Sequence, residues 1–248
     1  MTIKLYLGDC LDILPTLTEQ VDAIITDLPY GSTACKWDII IPFEPMWEQV
    51  KRVLKPRGVF VTTASQPFTS LLICSNLEWF KYEWIWNKVH AVGFQISKFR
   101  PMMQHENVII FSPTTCLYNP IMTPRKKIKH RKSFSAGPSA PLSHHDGKDR
   151  IYTDYHPKSI IKISNADHTN RLHPTQKPVA LYEYLIRTYT NEGDTVLDIA
   201  AGSGTTGEAA IKTNRNCILI EKEEEYYNIA QRRIKDALQQ PNLFHGGG

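Results

Sequence analysis

No apolar run in this 248-residue chain approaches the ~18 residues that would let a helix cross a bilayer, so a membrane-spanning helix is excluded. Paired cysteines are also missing: the five stand apart at positions 10, 35, 74, 116 and 217, with no Cys-x-x-Cys. An odd, scattered set argues against a disulfide framework or zinc centre and for a reducing, cytoplasmic setting. The opening stretch, Met1-Thr2-Ile3-Lys4-Leu5-Tyr6-Leu7, turns polar too soon for a secretory leader. Histidines 130, 144, 145, 156 and 168 crowd one region, but their spacings fit no ligand template, so no metal is expected.

What is present is ordinary globular material: 42% hydrophobic and 22% charged, enough chain for one large domain or for a domain carrying an insertion. The net charge of +4 becomes informative once divided. Residues 112–172 hold 11 Lys and Arg against 4 Asp and Glu, while the rest hold 18 against 21. The positive charge belongs to one segment, and such a segment usually meets something anionic.

Apolar patterning predicts alternating elements: strands at 3–7, 21–26, 58–63, 80–87, 107–111, 193–199 and 216–220, with helices at 10–17, 43–54, 67–76, 179–190 and 224–238. A further helix opens from the Gly-rich turn at 200–206. Alternation of this kind argues α/β with a largely parallel sheet. Trp79, Phe80, Tyr82, Trp84 and Trp86 are read as core and strand residues. The pattern stops at Ser112, and sixty residues without periodicity suggest a functional insertion over 112–172. Residues 1–111 and 173–238 then form the main domain, and 239–248 an unstructured tail.

Two places carry chemistry. The strand Val21-Asp22-Ala23-Ile24-Ile25-Thr26 stops on Asp27-Leu28-Pro29-Tyr30, leaving a carboxylate and an aromatic ring at a strand's carboxyl end, where open α/β sheets hold ligands. An acidic acceptor beside a ring suits an exocyclic amine on a flat heterocycle; a plain Pro-containing turn fits those four residues equally well. The second place is Asp198-Ile199-Ala200-Ala201-Gly202-Ser203-Gly204-Thr205, a strand end running into a Gly-rich turn and a helix, with Glu221 ending the next strand. Glycines there permit a tight turn and close approach to a ligand, and an acid so placed can accept from ribose hydroxyls.

Taken together these residues resemble the site-specific DNA amino-methyltransferases that use S-adenosylmethionine. Asp27-Leu28-Pro29-Tyr30 is similar to the family's D/N/S-P-P-Y/F/W catalytic motif, and Leu197 to Thr206 to its cofactor motif; His173-Pro174-Thr175-Gln176-Lys177-Pro178 is close to the signature preceding it. The order, catalytic motif first and cofactor motif last, resembles the β class. It implies a circularly permuted Rossmann-like sheet with helices on both faces. The resemblance implies catalytic roles for Asp27, Leu28 (through its carbonyl), Pro29 and Tyr30 (as a stacking platform for a flipped base). It also implies cofactor contacts from Asp9 and Cys10 toward the adenine and from Glu221 to the ribose. Asp198, Ala200, Gly202, Ser203, Gly204 and Thr205 would surround the methionine part, with Thr175 and Lys177 near its carboxylate. Leu28 replaces the family's usual proline, and Ala200 its usual aromatic.

The basic segment is expected to meet DNA phosphates through Arg125, Lys126, Lys127, Lys129, Arg131 and Lys132. The expected partner is double-stranded DNA; a companion restriction endonuclease and a homodimer are compatible with the resemblance. No cysteine follows a proline, so the Pro-Cys nucleophile of cytosine-C5 methylation is missing. The favoured target is adenine N6. Cytosine N4 is the nearest rival, then a DNA- and cofactor-binding protein without activity; a nicotinamide-dependent oxidoreductase leaves the Asp27 motif unexplained.

Overall fold

The computed structural model describes residues 1–33, 35, 37–131, 150–165 and 176–239. Two compact units divide them: Met1–Asn119 with Ser159–Gly248, and Pro120–Lys158.

The larger unit is built on an eight-stranded mixed sheet, mostly parallel. Its strands are β1 (Ile3–Leu7), β2 (Val21–Thr26), β3 (Leu54–Ala64), β4 (Phe80–Val92), β5 (Met103–Phe111), β8 (Ile160–Lys162), β9 (Thr195–Asp198) and β10 (Asn216–Glu221), in the spatial order β1-β10-β9-β2-β3-β5-β4-β8. From β9 the chain winds outward through β10, and from β2 it winds the other way through β3. The order therefore reverses between β9 and β2, which pair in parallel through Ala23 with Val196 and Ile24 with Leu197. Asp198 and Asp27 stand where those two strands end, at the switch point where doubly wound sheets open a crevice.

Both sheet faces are covered, because each central strand sends alternate side chains to opposite sides. Ile24, Phe60, Leu197 and Ile218 pack with α1 (Cys10–Ile13), α2 (Phe43–Val53) and α3 (Phe68–Ser75). Ile25, Val61, Val196 and Leu219 pack with α4 (Val179–Tyr189), α5 (Thr205–Lys212) and α6 (Glu224–Gln239). In α2 the buried residues Met46, Trp47, Val50 and Val53 fall on one stripe, and Trp47 Nε1 donates to Ser75 Oγ of α3 at 2.8 Å. Trp84 and Trp86 of β4 are core residues, and Trp84 Nε1 donates to Tyr189 Oη of α4 at 2.8 Å.

Strand limits depart furthest from the periodicity in three places. β3 begins at Leu54 rather than 58: Lys55-Pro56-Arg57-Gly58 reads as a turn, yet Leu54 pairs with Val21, and the irregularity sits in a register shift before Ala23 pairs with Val59. β4 and β5 reach Val92 and Met103, which pair with each other beyond a second shift. Strands also form within 112–172. β6 (Thr123–Arg131) and β7 (Arg150–Tyr155) make an antiparallel pair in the smaller unit, and β8 joins β4 in the main sheet. β7 is mostly exposed on both sides, so apolar alternation had nothing to register.

In the smaller unit the Arg125 guanidinium lies 3.8 Å from the Tyr155 ring centroid, and its Nε donates to the Asp154 carbonyl at 2.9 Å. Arg125 therefore braces the β-pair, while Lys126, Lys127 and Lys129 are exposed. Lys132, His144, His145 and His168 lie outside the described residues, as does the tail beyond Gln239.

Candidate active site

A cleft of about 610 Å³ opens at the carboxyl ends of β1, β2, β9 and β10 and holds both chemical motifs. Asp9, Cys10, Asp27, Leu28, Pro29, Tyr30, Lys177, Asp198, Ala200, Gly202, Ser203, Thr205 and Glu221 all line it. Gly204 stands behind the lining, and Thr175 lies outside the described residues.

Asp27 is held from three sides. Its Oδ1 accepts hydrogen bonds from Tyr30 Oη at 2.8 Å and from Thr63 Oγ1, and its Oδ2 from Lys177 Nζ at 2.7 Å. An ionised carboxylate offers about four acceptor positions. Three are taken, and the fourth is on Oδ2. The Leu28 side chain, only 3% exposed, belongs to the core on the α1–α3 face, which leaves its backbone as the part able to meet a ligand. That is why leucine can stand where a family motif carries proline. Asp38 fixes the loop that follows, accepting from the backbone N–H groups of Gly31, Ser32 and Thr33 at 2.9, 2.9 and 2.7 Å.

Tyr30 stacks on Phe68, with centroids 5.1 Å apart at 24°, so one ring face is covered. The Lys177 ammonium lies 5.4 Å from the same ring's centroid. Lys177 thus reaches the catalytic motif; the resemblance had assigned it to the cofactor's carboxylate. Behind it Glu106 of β5 approaches with Oε2 3.4 Å from Nζ, an ion pair without an aligned hydrogen bond, and Glu106 pairs in turn with Lys88 of β4. Burial pulls the Lys177 ammonium down, but the charges of Asp27 and Glu106 outweigh it and its pKa is raised. Burial pushes the Glu106 carboxyl up, but Lys177 and Lys88 outweigh that and its pKa is lowered. Glu106 and Lys177 are therefore both held in their charged forms, within a row that runs Lys88–Glu106–Lys177–Asp27.

On the other side of the switch point, Asp198 accepts from Thr26 Oγ1 at 2.7 Å, from Thr206 Oγ1, and from Ala200 N at 3.1 Å. It stitches β2, β9 and α5 together. Burial pushes its carboxyl up to about 6 against the lowering effect of those hydrogen bonds. Glu221 accepts from Gly202 N at 2.6 Å and Glu223 N at 2.8 Å, tying the Gly-rich turn to the end of β10. Gly202 adopts φ 53°, and a Cβ there would meet nothing within 4 Å, so its open side is left to the cleft. Gly204 answers to packing instead: at φ 80° a Cβ would lie 2.9 Å from the Ala230 Cβ of α6.

Asp9 is the N-cap of α1, accepting from Leu11 N at 2.9 Å, and its other oxygen pairs with Lys222 Nζ at 3.0 Å. Burial pushes the neighbouring Cys10 thiol up to about 12, which leaves it inert as a nucleophile. Arg233 of α6 donates to the Ser203 carbonyl at 2.7 Å and to Ser203 Oγ at 2.8 Å, fixing the turn from behind. Thr63, Phe68, Lys88, Glu106, Asp38 and Arg233 carry no signal in one sequence, since each acts through a partner on another element. Among the described residues no group of three His, Cys, Asp or Glu is placed to hold a metal, and no helix is long and apolar enough to cross a membrane.

This switch-point cleft, with a carboxylate on one strand end and a Gly-rich, acid-closed turn on its neighbour, defines a Rossmann-like methyltransferase fold. The chain belongs to the N6/N4 DNA methylase family, whose sequence profile matches residues 21–232. The DNA adenine methyltransferase YhdJ of Escherichia coli K12 is 31% identical over 247 residues, covering 92% of this chain and 81% of that protein. The type II methyltransferase M.HinfI of Haemophilus influenzae is 29% identical over 264 residues, covering 95% of this chain and 69% of that one. The crystal structure of the M1.HpyAVI–SAM complex matches with a TM-score of 0.64 at 26% identity, covering 94% of this chain and 100% of that chain.

Proposed function

We propose that the protein transfers a methyl group from S-adenosylmethionine to the exocyclic N6 of an adenine turned out of duplex DNA. The observation that carries this reading is the spare acceptor position on Asp27 Oδ2, in the same cleft as the Gly202 turn closed by Glu221. The residues fit the cofactor: the backbone at Gly202 is open, and Glu221 has further acceptor positions beyond those given to Gly202 and Glu223. Glu221 would hold the ribose, Asp9 and Cys10 would border the adenine, and Ala200, Gly202 and Ser203 would surround the methionine part. When bound, S-adenosylmethionine supplies an electrophilic methyl on sulfonium sulfur.

The chain's own residues supply orientation and electrostatics. An exocyclic amine is a poor nucleophile because its lone pair is delocalised into the ring. Acceptance of its two hydrogens by Asp27 Oδ2 and the Leu28 carbonyl favours a pyramidal nitrogen with that lone pair freed. As the nitrogen–carbon bond forms the methyl's bond to sulfur would break, the sulfur keeping the electron pair as a neutral thioether, and Asp27 is the adjacent base for the proton the nitrogen sheds. A base inside a duplex is out of reach, so it must leave the stack and lie in the cleft beside Tyr30, whose ring is backed by Phe68 and has the Lys177 ammonium 5.4 Å from its centroid. Lys126, Lys127 and Lys129 are exposed for phosphate contact, and Arg131 and Lys132 are assigned the same role from their place in the basic run of the sequence alone. A DNA adenine methyltransferase among the relatives, and an acidic first residue in the catalytic motif, support adenine over cytosine N4. Cytoplasmic residence, a companion restriction endonuclease and a homodimer enter this reading through composition and family resemblance alone.

Expression in a host stripped of its own DNA methylation, followed by modification-sensitive genome sequencing, tests the reading. The expected result is one short motif carrying methyladenine at nearly every occurrence. A genome without modified adenine contradicts it.

A further inference from the structure

β4 is antiparallel to β5, which is antiparallel to β3, which runs parallel to β2. The carboxyl end of β4 therefore lies on the same sheet edge as Asp27, and Trp86, Lys88 and Val92 of this strand line the cleft. Past the Val92–Met103 pair the chain forms a closed turn. Gly93 enters it at φ 90°, and hydrogen bonds run from Ile96 N to Gly93 O at 3.2 Å, Ser97 N to Phe94 O at 3.1 Å and Phe99 N to Ile96 O at 3.0 Å. The backbone is pinned, yet Phe94 is 75% and Phe99 88% exposed, the two most exposed large apolar side chains among the described residues. Lys98 and Arg100 beside them are exposed, and no Asp or Glu occurs between Trp84 and His105.

We propose that this turn is a wedge: Phe94 and Phe99 enter the DNA stack beside the target and fill the gap left by the departing base, while Lys98 and Arg100 hold the flanking phosphates. Two bare rings held out on an ordered turn need an apolar slot, and acid-free cationic flanks need an anionic rim. A base-pair step opened next to its phosphates offers both, and apolar side chains driven between steps are a general means of unstacking them. A second copy of the chain across a two-fold axis fits worse, because the same cations would face each other. The inference rests on the reading that the substrate is duplex DNA.

The full chain carrying Phe94→Ala and Phe99→Ala tests it, on a duplex bearing the motif found by genome sequencing. Methylation is measured on that duplex and on the same duplex with an abasic site opposite the target, where the base is already loosely held. The wedge predicts a fall of about tenfold or more in kcat/KM on the paired duplex and less than about threefold on the abasic one. Equal loss on both, or no loss on either, overturns it. So does sedimentation showing that the wild type is a dimer which the double substitution dissociates, since the turn would then be a self-association surface. A wild-type protein that methylates no DNA overturns the proposed function itself, and the wedge with it.

Discussion

Replacing Asp27 with alanine is expected to lower methyl transfer by about a thousandfold while leaving cofactor affinity within about twofold. The carboxylate sits at the end of β2, and its contacts are Tyr30, Thr63 and Lys177, none of them in the Gly-rich turn. The turn is fixed separately, by Glu221, by Arg233 and by the packing of Gly204 on Ala230. Loss of Asp27 removes the acceptor that orients the amine and the base for its proton, yet leaves the cofactor side intact. The protein should also stay folded, because Lys177 keeps Glu106 as a counter-charge. Single-turnover transfer and equilibrium binding of labelled cofactor, on the same preparation, separate the two roles. Turnover near the wild-type rate sinks the assignment.

Lys177→Met is expected to cost about 3 kcal/mol of stability and most of the activity. The substitution keeps the stem's bulk but leaves Asp27 and Glu106 facing each other without the ammonium between them. The figure sits at the low end for a broken buried pair, since Glu106 retains Lys88 and the Asp27 side chain is 23% exposed. The wild-type pH dependence follows from the same row of charges. Glu106 has a lowered pKa, so its contribution to stability is present above the usual glutamate range and is lost as pH falls through the depressed value. Lys177 has a raised pKa, so its contribution is complete below the usual lysine value and is lost only as pH rises beyond it. In the methionine variant the acid limb of stability should be shallower and end at higher pH, because Glu106 has lost one of the cations that depress it. Urea unfolding between about pH 3 and about pH 7, a range that spans the usual carboxylate values, measures both the loss and the shift. A variant as stable as wild type, with an unmoved acid limb, contradicts the charge row.

The frame was legible in the sequence because its strands are nearly continuous apolar runs and its helices carry one apolar stripe each. β2, β9 and β10 all read that way, and each ends on the acid that matters. The sequence could not show the smaller β6–β7 sheet, whose exposed faces leave no alternation, or the length of β4 and β5, whose outer pairs rest on each other's backbone. Within the site the motif residues themselves were readable. Their supports were not: Thr63 meets Asp27 only because β3 lies alongside β2, and Glu106 meets Lys177 only because β5 lies beyond β3. Lys177 shows the limit most clearly. Its motif marks it as functional, but the side of the cleft it serves depends on where a buried glutamate 71 positions earlier in the chain has been placed.

The central claim is that the acceptor on Asp27 receives an adenine amine. Incubating the protein with duplex DNA and cofactor labelled in its methyl group, then digesting the DNA to nucleosides and separating them, tests it most directly. The account predicts label in N6-methyldeoxyadenosine; label in N4-methyldeoxycytidine, or none in DNA, contradicts it.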